Sequence, residues 1–434
     1  MKDVINVGLI GVGTVGTGVI KILNERSSEI ERKVGRKVAL KRVADRSLSN
    51  PEEVGIDRPA FTRRAEDVVG DSEVDILVEL IGGYEPARTL VLEALDRGKQ
   101  VVTANKALLA KHGLEVFGRA IERGGSIYFE ASVASGIPVI KALRESLGAD
   151  RITSILGIVN GTSNFILAEM THRKKDFAEV LSLAQEKGYA EANPSFDVEG
   201  IDSAHKLAIL ASLAFGVQVR LEDIYVEGIT HITEIDIQYA GEMGYVVKLL
   251  AIAKEADGEI EVRVNPTMIP QHNLLAAVDE AYNAIYVVGD IAGSLMFYGR
   301  GAGQMPASSA VASDIMDAAR NLHLCVKSQN LAYPRMSGGG RVKRIEEVES
   351  GYYIRFSVID KPGVLAAISG IFGQHNISIA SVVQKERRKE ATVPLLIITH
   401  KANEGNMRRA INEIDKLAVV TDKSILIRVE REDE

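Results

Sequence analysis

The feature that most limits what this chain can fold into is the run Gly11, Val12, Gly13, Thr14, Val15 and Gly16. It follows the apolar stretch Val4–Ile10 directly and precedes a helical pattern directly. The first glycine permits a tight turn, the second lets a pyrophosphate approach the backbone, and the third allows a helix to pack close against a strand. The helix N-terminus that follows carries partial positive charge suited to phosphate. GxGxxG alone also describes a surface turn, and it is the strand–turn–helix setting that makes it a dinucleotide site. Val38–Ala44, Asp75–Leu80, Gln100–Thr103 and Ser126–Glu130 read as further strands, with helical stretches such as Gly16–Glu25 and Ala87–Arg97 between them. Such alternation means parallel strands joined by right-handed crossovers. Residues 1–130 are therefore expected to form a Rossmann-type nucleotide-binding domain.

The second strand ends in Ala44, Asp45 and Arg46. An acidic residue there binds a ribose 2′-hydroxyl and favours NAD, whereas an arginine accommodates a 2′-phosphate and favours NADP. Both are present, so the choice stays open at this level, and a solvated ion pair at a strand end would look the same.

The chain has 434 residues, against roughly 100–200 per domain, so several domains are expected. Residues 131–320 carry helix signals at 138–147, 174–187 and 202–215 and strand-like runs at 151–159, 259–264 and 284–298, and read as an α+β substrate and dimerisation domain. Residues 321–350 read as a returning segment and a linker, Tyr333–Arg344, with Pro334 and the run Ser337, Gly338, Gly339, Gly340. Residues 351–434 follow the order βαββαβ, with strands at Tyr352–Ile359, Ile377–Gln384, Thr392–Thr399 and Ser424–Val429 and helices at Pro362–Gln374 and Asn406–Leu417. That is the ferredoxin-like arrangement.

With 46% apolar and 26% charged residues the composition is that of a folded globular protein. The balance of 52 Lys+Arg against 59 Asp+Glu is mildly acidic, which argues against nucleic acid or an anionic membrane surface as partner. The uncharged stretch 152–168 is too short for a membrane span. The opening MKDVINVGLI lacks a signal-peptide layout, and Cys325 is the sole cysteine, so neither an intrachain disulfide nor a Cys-based metal cluster is expected. Cys325 reads as a small buried apolar residue and the chain as cytoplasmic.

The richest stretch for chemistry is Gly188–Ala211. Asp202 and Lys206, four residues apart, share one face of a helix, while Ile201, Ala204, Leu207, Ala208 and Ala211 occupy another. Glu191 and Asp197 precede them in a Pro-containing loop. Three carboxylates near one lysine form a candidate acid/base group, in which the lysine passes a proton to or from a substrate oxygen. Taken by itself, an Asp/Lys pair at this spacing is most simply an exposed ion pair, and the neighbouring His205 reads as structural. So do His112, His172, His231 and His272, which have no partner at metal-ligand spacing, and the cluster Glu31–Lys37 reads as a solvated face.

The chain resembles homoserine dehydrogenases of the form that carries a C-terminal ACT domain. The resemblance rests on GVGTVG, TANKALLA at 103–110, EASVASGIPVI at 130–140, NGTSNFIL at 160–167 and the block GYAE…GIDSAHKLAILA. It implies reversible NAD- or NADP-dependent interconversion of L-aspartate 4-semialdehyde and L-homoserine. By the same resemblance Lys206 is the catalytic lysine, and Asp202, Glu191 and Asp197 bind the substrate amino group or position the lysine. Lys106 faces cofactor and substrate, and Tyr189 and Thr162 touch substrate. Thr103, Ala44, Gly188, Glu191 and Gly303 line the cofactor site. The resemblance further implies a monovalent cation, sodium, held largely by backbone carbonyls at Glu130, Val133, Ser135 and Ile137. Carbonyl oxygens suit hard cations. In the ACT unit, Asp360, Gly363, Asn376 and Ile377 would receive an amino-acid effector, with L-threonine suggested by pathway logic, and paired ACT sheets would give a homodimer or homotetramer.

Two other readings fit the residues less well. A phosphorylating semialdehyde dehydrogenase needs an acyl-forming thiolate, and Cys325 lacks a neighbouring helix start or base. A non-catalytic amino-acid sensor would have no use for the carboxylates and both lysines.

Overall fold

A computed structural model describes residues 3–324, 340–384 and 391–431. Cys325 and residues 333–339 of the expected linker lie outside the described residues. The chain forms two compact units, and it passes from one to the other within the strand Ile152–Ile158 and again within the helix Ile201–Phe215.

The first unit holds Met1–Ile155, His205–Glu222 and Asn283–Gly339. Its parallel sheet has the order Phe61–Thr62, Lys37–Ala44, Val4–Ile10, Ile76–Glu79, Gln100–Thr103, Ile127–Tyr128. The order reverses at Val4–Ile10, and the glycine run follows the carboxyl end of that strand, where doubly wound sheets bind their ligands. Ile76, Leu77 and Val78 have no exposure at all, as expected of a strand covered on both faces. The helix Gln304–His323 packs back onto this domain, placing Val311, Ile315, Ala318 and Ala319 in one core with Val19, Ile20 and Leu23. Ser308 donates from its hydroxyl to the Val15 carbonyl at 2.8 Å. The approach requires Gly18, where a Cβ would stand 2.3 Å from the Ser308 oxygen. The strand expected at 284–298 is two adjacent strands, Tyr282–Gly289 and Gly293–Arg300, divided by a turn that uses left-handed Gly293 (φ +72°). The helix expected at 138–147 is a short α-turn, Val139–Lys141, that widens into a π-turn at Ala142–Ser146.

The second unit holds Leu156–Ala204, Asp223–Tyr282 and Gly340–Glu434. Two of its longer elements, both absent from the sequence reading, bear on the site. The helix Gly161–Arg173 buries Ser163 to Ala168 without interruption. Six consecutive buried residues go all the way round the helix, so no apolar stripe betrays it. The strand Tyr245–Ala256 pairs antiparallel with Glu259–Pro270 along its whole length, through a tight turn in which Asp257 and Gly258 both have positive φ. Asp-Gly between apolar runs is the hairpin signal that would have found it.

The βαββαβ order is present, with strands Glu349–Ile359, Ile379–Val383, Thr392–Thr399 and Val420–Val429 and helices Val364–Gln374 and Glu404–Ile414. The first helix starts at Val364 and not at Pro362, because Gly363 takes a left-handed φ of +93°. The last strand also pairs in parallel with Glu259–Pro270, setting Thr267 against Arg428 and Met268 against Val429. One sheet therefore runs through this unit. Buried arginines lock the join. Arg428 meets Glu404 at 2.5 Å and Glu227 at 2.7 Å, and Arg263 meets Glu261 at 2.6 Å and Glu430 at 2.9 Å. Among the described residues no helix is long and apolar enough to cross a membrane.

Asp314, fully buried on the returning helix, accepts from the Glu130 amide at 2.8 Å. Burial, and next the Glu130 charge, raise its pKa from 3.8 to about 7. An acid whose pKa is raised by folding costs stability as pH climbs from the unfolded to the folded value, and the cost is constant above it. Asp314→Asn keeps the acceptor and removes the ionisation. It should raise the melting temperature at about pH 8 more than at about pH 5, with a difference worth roughly 2–3 kcal/mol in thermal melts at the two pH values.

Candidate active site

In the first unit the glycine run behaves as its spacing predicts. Gly11 has φ +98° and its amide donates to the Ala44 carbonyl at 2.9 Å. A Cβ on Gly16 would lie 2.1 Å from the Gly11 carbonyl oxygen, whereas one on Gly13 would meet nothing within 4 Å. Gly16 is thus required by the fold, and Gly13 leaves open room above the turn for a pyrophosphate. Asp45 faces the same turn. One carboxylate oxygen accepts from the Val12 amide at 2.7 Å, and the other accepts from the Ser47 amide at 2.8 Å, the Ser47 hydroxyl at 2.9 Å and the Leu48 amide at 2.9 Å. Partial burial pushes the carboxyl up, but these bonds outweigh it and hold the pKa below the ordinary value. Beyond Asp45 a cavity of about 300 Å³ is lined by Ala44, Arg46, Ser47, Arg63, Ile81 and Gly82 among others. These residues fit the adenosine end of a dinucleotide.

A buried carboxylate that the sequence reading missed organises the neighbouring loops. Glu79 accepts from the Thr103 hydroxyl at 2.6 Å and from the amides of Ile81 and Gly82 at 2.9 and 3.1 Å. Burial raises its pKa against the pull of these donors. Asn105 caps the helix Lys106–Arg123 through the Leu108 amide at 3.0 Å and donates to the Gly83 carbonyl at 2.8 Å. Lys106 is the first residue of that helix, so the turn that presents it is pinned to Glu79. Gly303, with φ +122°, begins the helix Gln304–His323. The segment Glu130–Ile137 folds into a compact turn with Ala134 left-handed (φ +47°). Val133 and Ile137 are buried, Ser135 is half-buried, and the Glu130 carboxylate caps the amides of Ile140 and Lys141 at 2.9 Å each.

In the second unit the decisive residue is Asn160. Its side-chain oxygen caps the helix Gly161–Arg173 by accepting from the Ser163 amide at 2.8 Å. Its side-chain nitrogen donates to Asp197 at 2.7 Å and to Asp202 at 2.9 Å. Two of the three predicted carboxylates therefore converge on one amide. The Ser163 hydroxyl adds a bond to the Asp197 carbonyl at 2.9 Å. Thr162 donates from its hydroxyl to the Tyr189 carbonyl at 2.7 Å, and the Tyr189 ring lies 4.6 Å from that of Phe165. Gly188, at φ +75°, makes the turn into this loop. Glu191 is exposed and stands outside the Asn160 bonds, its carbonyl accepting from Gln185 at 3.1 Å. Asp202 lies in the first turn of the helix Ile201–Phe215, and Lys206 follows one turn later on the same helix, 4% and 8% exposed. An exposed surface pair is thereby excluded. His205 is also buried, 7% exposed.

In the βαββαβ unit, Gly363 and Asn376 both take left-handed φ, at +93° and +57°. Asp360 donates its amide to the Ala391 carbonyl at 3.0 Å, and buried Ile377 donates to Phe372 at 2.9 Å.

Comparison with known proteins shows the family. The NAD-binding-domain model of homoserine dehydrogenase matches residues 11–130, the homoserine dehydrogenase model matches 138–316 and the ACT domain model 352–419. A homoserine dehydrogenase from Pseudomonas aeruginosa is 44% identical over 99% of this chain and 100% of its own length. The chain belongs to the homoserine dehydrogenase family. It is an oxidoreductase of that family, with a C-terminal ACT domain. The solved homoserine dehydrogenase of Thiobacillus denitrificans superposes with a TM-score of 0.93 at 46% identity, covering 99% of this chain and 98% of that one. A hyperthermophilic archaeal homoserine dehydrogenase in complex with NADPH superposes with a TM-score of 0.64 at 27% identity, covering 76% of this chain and 99% of that one.

Asn160→Ala removes a helix cap and the shared donor of two carboxylates, and should destabilise the fold by about 2–4 kcal/mol in denaturant titrations. Asn160→Ser restores only the cap and should recover about 1 kcal/mol of this.

Proposed function

We propose that this chain catalyses the reversible reduction of L-aspartate 4-semialdehyde to L-homoserine, with Lys206 moving the proton at the substrate oxygen. The observation that carries the reading is the fixing of Asp197 and Asp202 by Asn160, with Asp202 one helical turn before a buried lysine. A bound nicotinamide cofactor supplies or accepts the hydride at the substrate carbon. As negative charge develops on the carbonyl oxygen, the Lys206 ammonium gives up its proton to it, and in the oxidative direction the amine takes it back. The Asp197 and Asp202 carboxylates attract the substrate ammonium, and Glu191, Tyr189 and Thr162 border the same loop. Lys106, on the turn that Glu79 and Asn105 hold, is read as the second lysine on the strength of the family resemblance.

The reading extends to NADP as the preferred cofactor. Asp45 accepts on both oxygens from Val12, Ser47 and Leu48, while Arg46 and Arg63 line the adjoining cavity and offer donors suited to a 2′-phosphate. A sodium ion is read at the backbone carbonyls of Glu130, Val133, Ser135 and Ile137, because carbonyl oxygens suit a hard cation. The ACT unit is read as an L-threonine sensor at Asp360, Gly363, Asn376 and Ile377, where two left-handed residues bring backbone amides close to a ligand. The assembly is read as a cytoplasmic homodimer or homotetramer.

Lys206→Ala should lower homoserine oxidation about 10²–10⁴-fold in steady-state turnover. Activity within tenfold of wild type would remove the assigned role. Arg46→Ala together with Arg63→Ala should raise the KM for NADPH at least about tenfold, the scale of one lost charge-assisted contact, with the KM for NADH little changed. Equal effects on both cofactors would refute the 2′-phosphate assignment.

A further inference from the structure

The buried join between the ACT strand and the rest of its unit ends on the backbone that carries the substrate carboxylates. Arg428, on the last ACT strand, donates to Glu227 at 2.7 Å and is held from its other side by Glu404 at 2.9 and 2.5 Å. Glu404 begins the second ACT helix and also accepts from the Tyr352 hydroxyl at 2.8 Å. Glu227 accepts from the Tyr225 hydroxyl at 2.7 Å and lies 3.1 Å from the His231 ring nitrogen. Burial opposes its charge, but His231, Arg428 and Tyr225 hold its pKa down at about 2, so it is anionic at any working pH.

The next two residues reach the site. Ile229 donates its amide to the Val198 carbonyl at 2.9 Å, one residue beyond Asp197. Gly228 lies so close that a Cβ there would stand 2.4 Å from the Val198 oxygen and 2.6 Å from the Glu199 Cα. Gly200, left-handed at +83°, packs with its missing Cβ position 3.2 Å from the Val226 side chain. Residues 226–229 are thus the backing plate of residues 197–200, which join Asp197 to Asp202. The plate is anchored by its amide to Val264 at 2.8 Å and by its one charged side chain to the ACT strand.

We propose that Glu227 is a positioning residue through which the ACT unit sets the alignment of the Asp197 and Asp202 carboxylates, so that a shift of the last ACT strand is read as a change in substrate affinity. The proposal rests on the reading that these two carboxylates face the substrate. It requires no movement of the lysine and no contact of Glu227 with substrate. Coupling of this kind is worth about 5–20-fold in affinity, within the range of measured site–site couplings.

The test uses the full-length enzyme with Glu227→Gln, Glu227→Asp and Gly228→Ala, and follows homoserine oxidation at saturating cofactor. Glu227→Gln should raise the KM for homoserine about 5–20-fold, leave kcat and the cofactor KM within about twofold, and be largely rescued by Glu227→Asp. Gly228→Ala displaces residues 198–199 directly and should give the same selective rise with the Glu227–Arg428 pair intact, so the proposal stays testable where Glu227→Gln fails to fold. Glu259→Gln, which breaks an exposed ion pair with Arg341 elsewhere in the same unit, should change neither constant. A homoserine KM within twofold of wild type in both Glu227→Gln and Gly228→Ala would overturn the proposal, as would an equal rise in the cofactor KM, which would mark general loosening. A wild-type enzyme that fails to oxidise homoserine would instead overturn the substrate reading beneath it.

Discussion

Two carboxylates brought to within 3 Å of one nitrogen repel each other unless something stands between them, and in this chain that is the Asn160 amide. A neutral amide has two N–H donors and one carbonyl, and all three are used here: one donor for Asp197, one for Asp202, and the oxygen for the start of the helix Gly161–Arg173. The helix start at 161–163 and the carboxylate segment 197–202 are thereby indexed to a single side chain. A lysine could not replace it, since its ammonium has no acceptor for the helix cap and would cancel the negative charge that a substrate ammonium needs. Lys206, proposed to move the proton, sits one turn beyond Asp202 on the helix Ile201–Phe215, and its place follows from where Asp202 is held.

The second organising constraint is the run of buried charge along the ACT join. Replacing a buried ion pair with well-packed apolar residues is often neutral or stabilising, whereas removing one partner costs about 3–5 kcal/mol. The pairs of Arg428 with Glu227 and Glu404, and of Arg263 with Glu430, are therefore better understood as fixing register than as adding net stability. Only two register positions join the ACT strand to Glu259–Pro270, Thr267 to Arg428 and Met268 to Val429. A backbone contact that short needs side chains to specify it, and Arg428 is both a register residue and the partner of Glu227.

What the sequence made legible was what is decided locally. The glycine run, the strands beside it, the helix carrying Asp202 and Lys206 and the βαββαβ order each follow from spacing and turn residues within a short window. The helix Gly161–Arg173 escaped because it is buried on all sides and shows no periodicity, although Asn160 in front of it was a readable cap. The strand Tyr245–Ala256 escaped although the Asp257–Gly258 turn announced it. Glu79 and Asn105 escaped because their roles depend on loops that meet only in the folded sheet. Glu227 and Arg428 are 201 residues apart, and no pattern in the chain joins them. Asp45 and Arg46 show the limit from the other side. Their types left two cofactors open, and the proposed preference for NADP leans on a bond from the Val12 amide that composition cannot express.

The central claim is that the amine of Lys206 meets the reacting oxygen while Asp197 and Asp202 hold the substrate's ammonium group. A crystal structure of the enzyme with homoserine bound tests it most directly. The account predicts the Lys206 Nζ within about 3.2 Å of the homoserine hydroxyl oxygen, a hydrogen-bond distance, with the substrate nitrogen on the Asp197 and Asp202 side. A hydroxyl oxygen more than about 6 Å from that amine, beyond direct or single-water proton transfer, would contradict it.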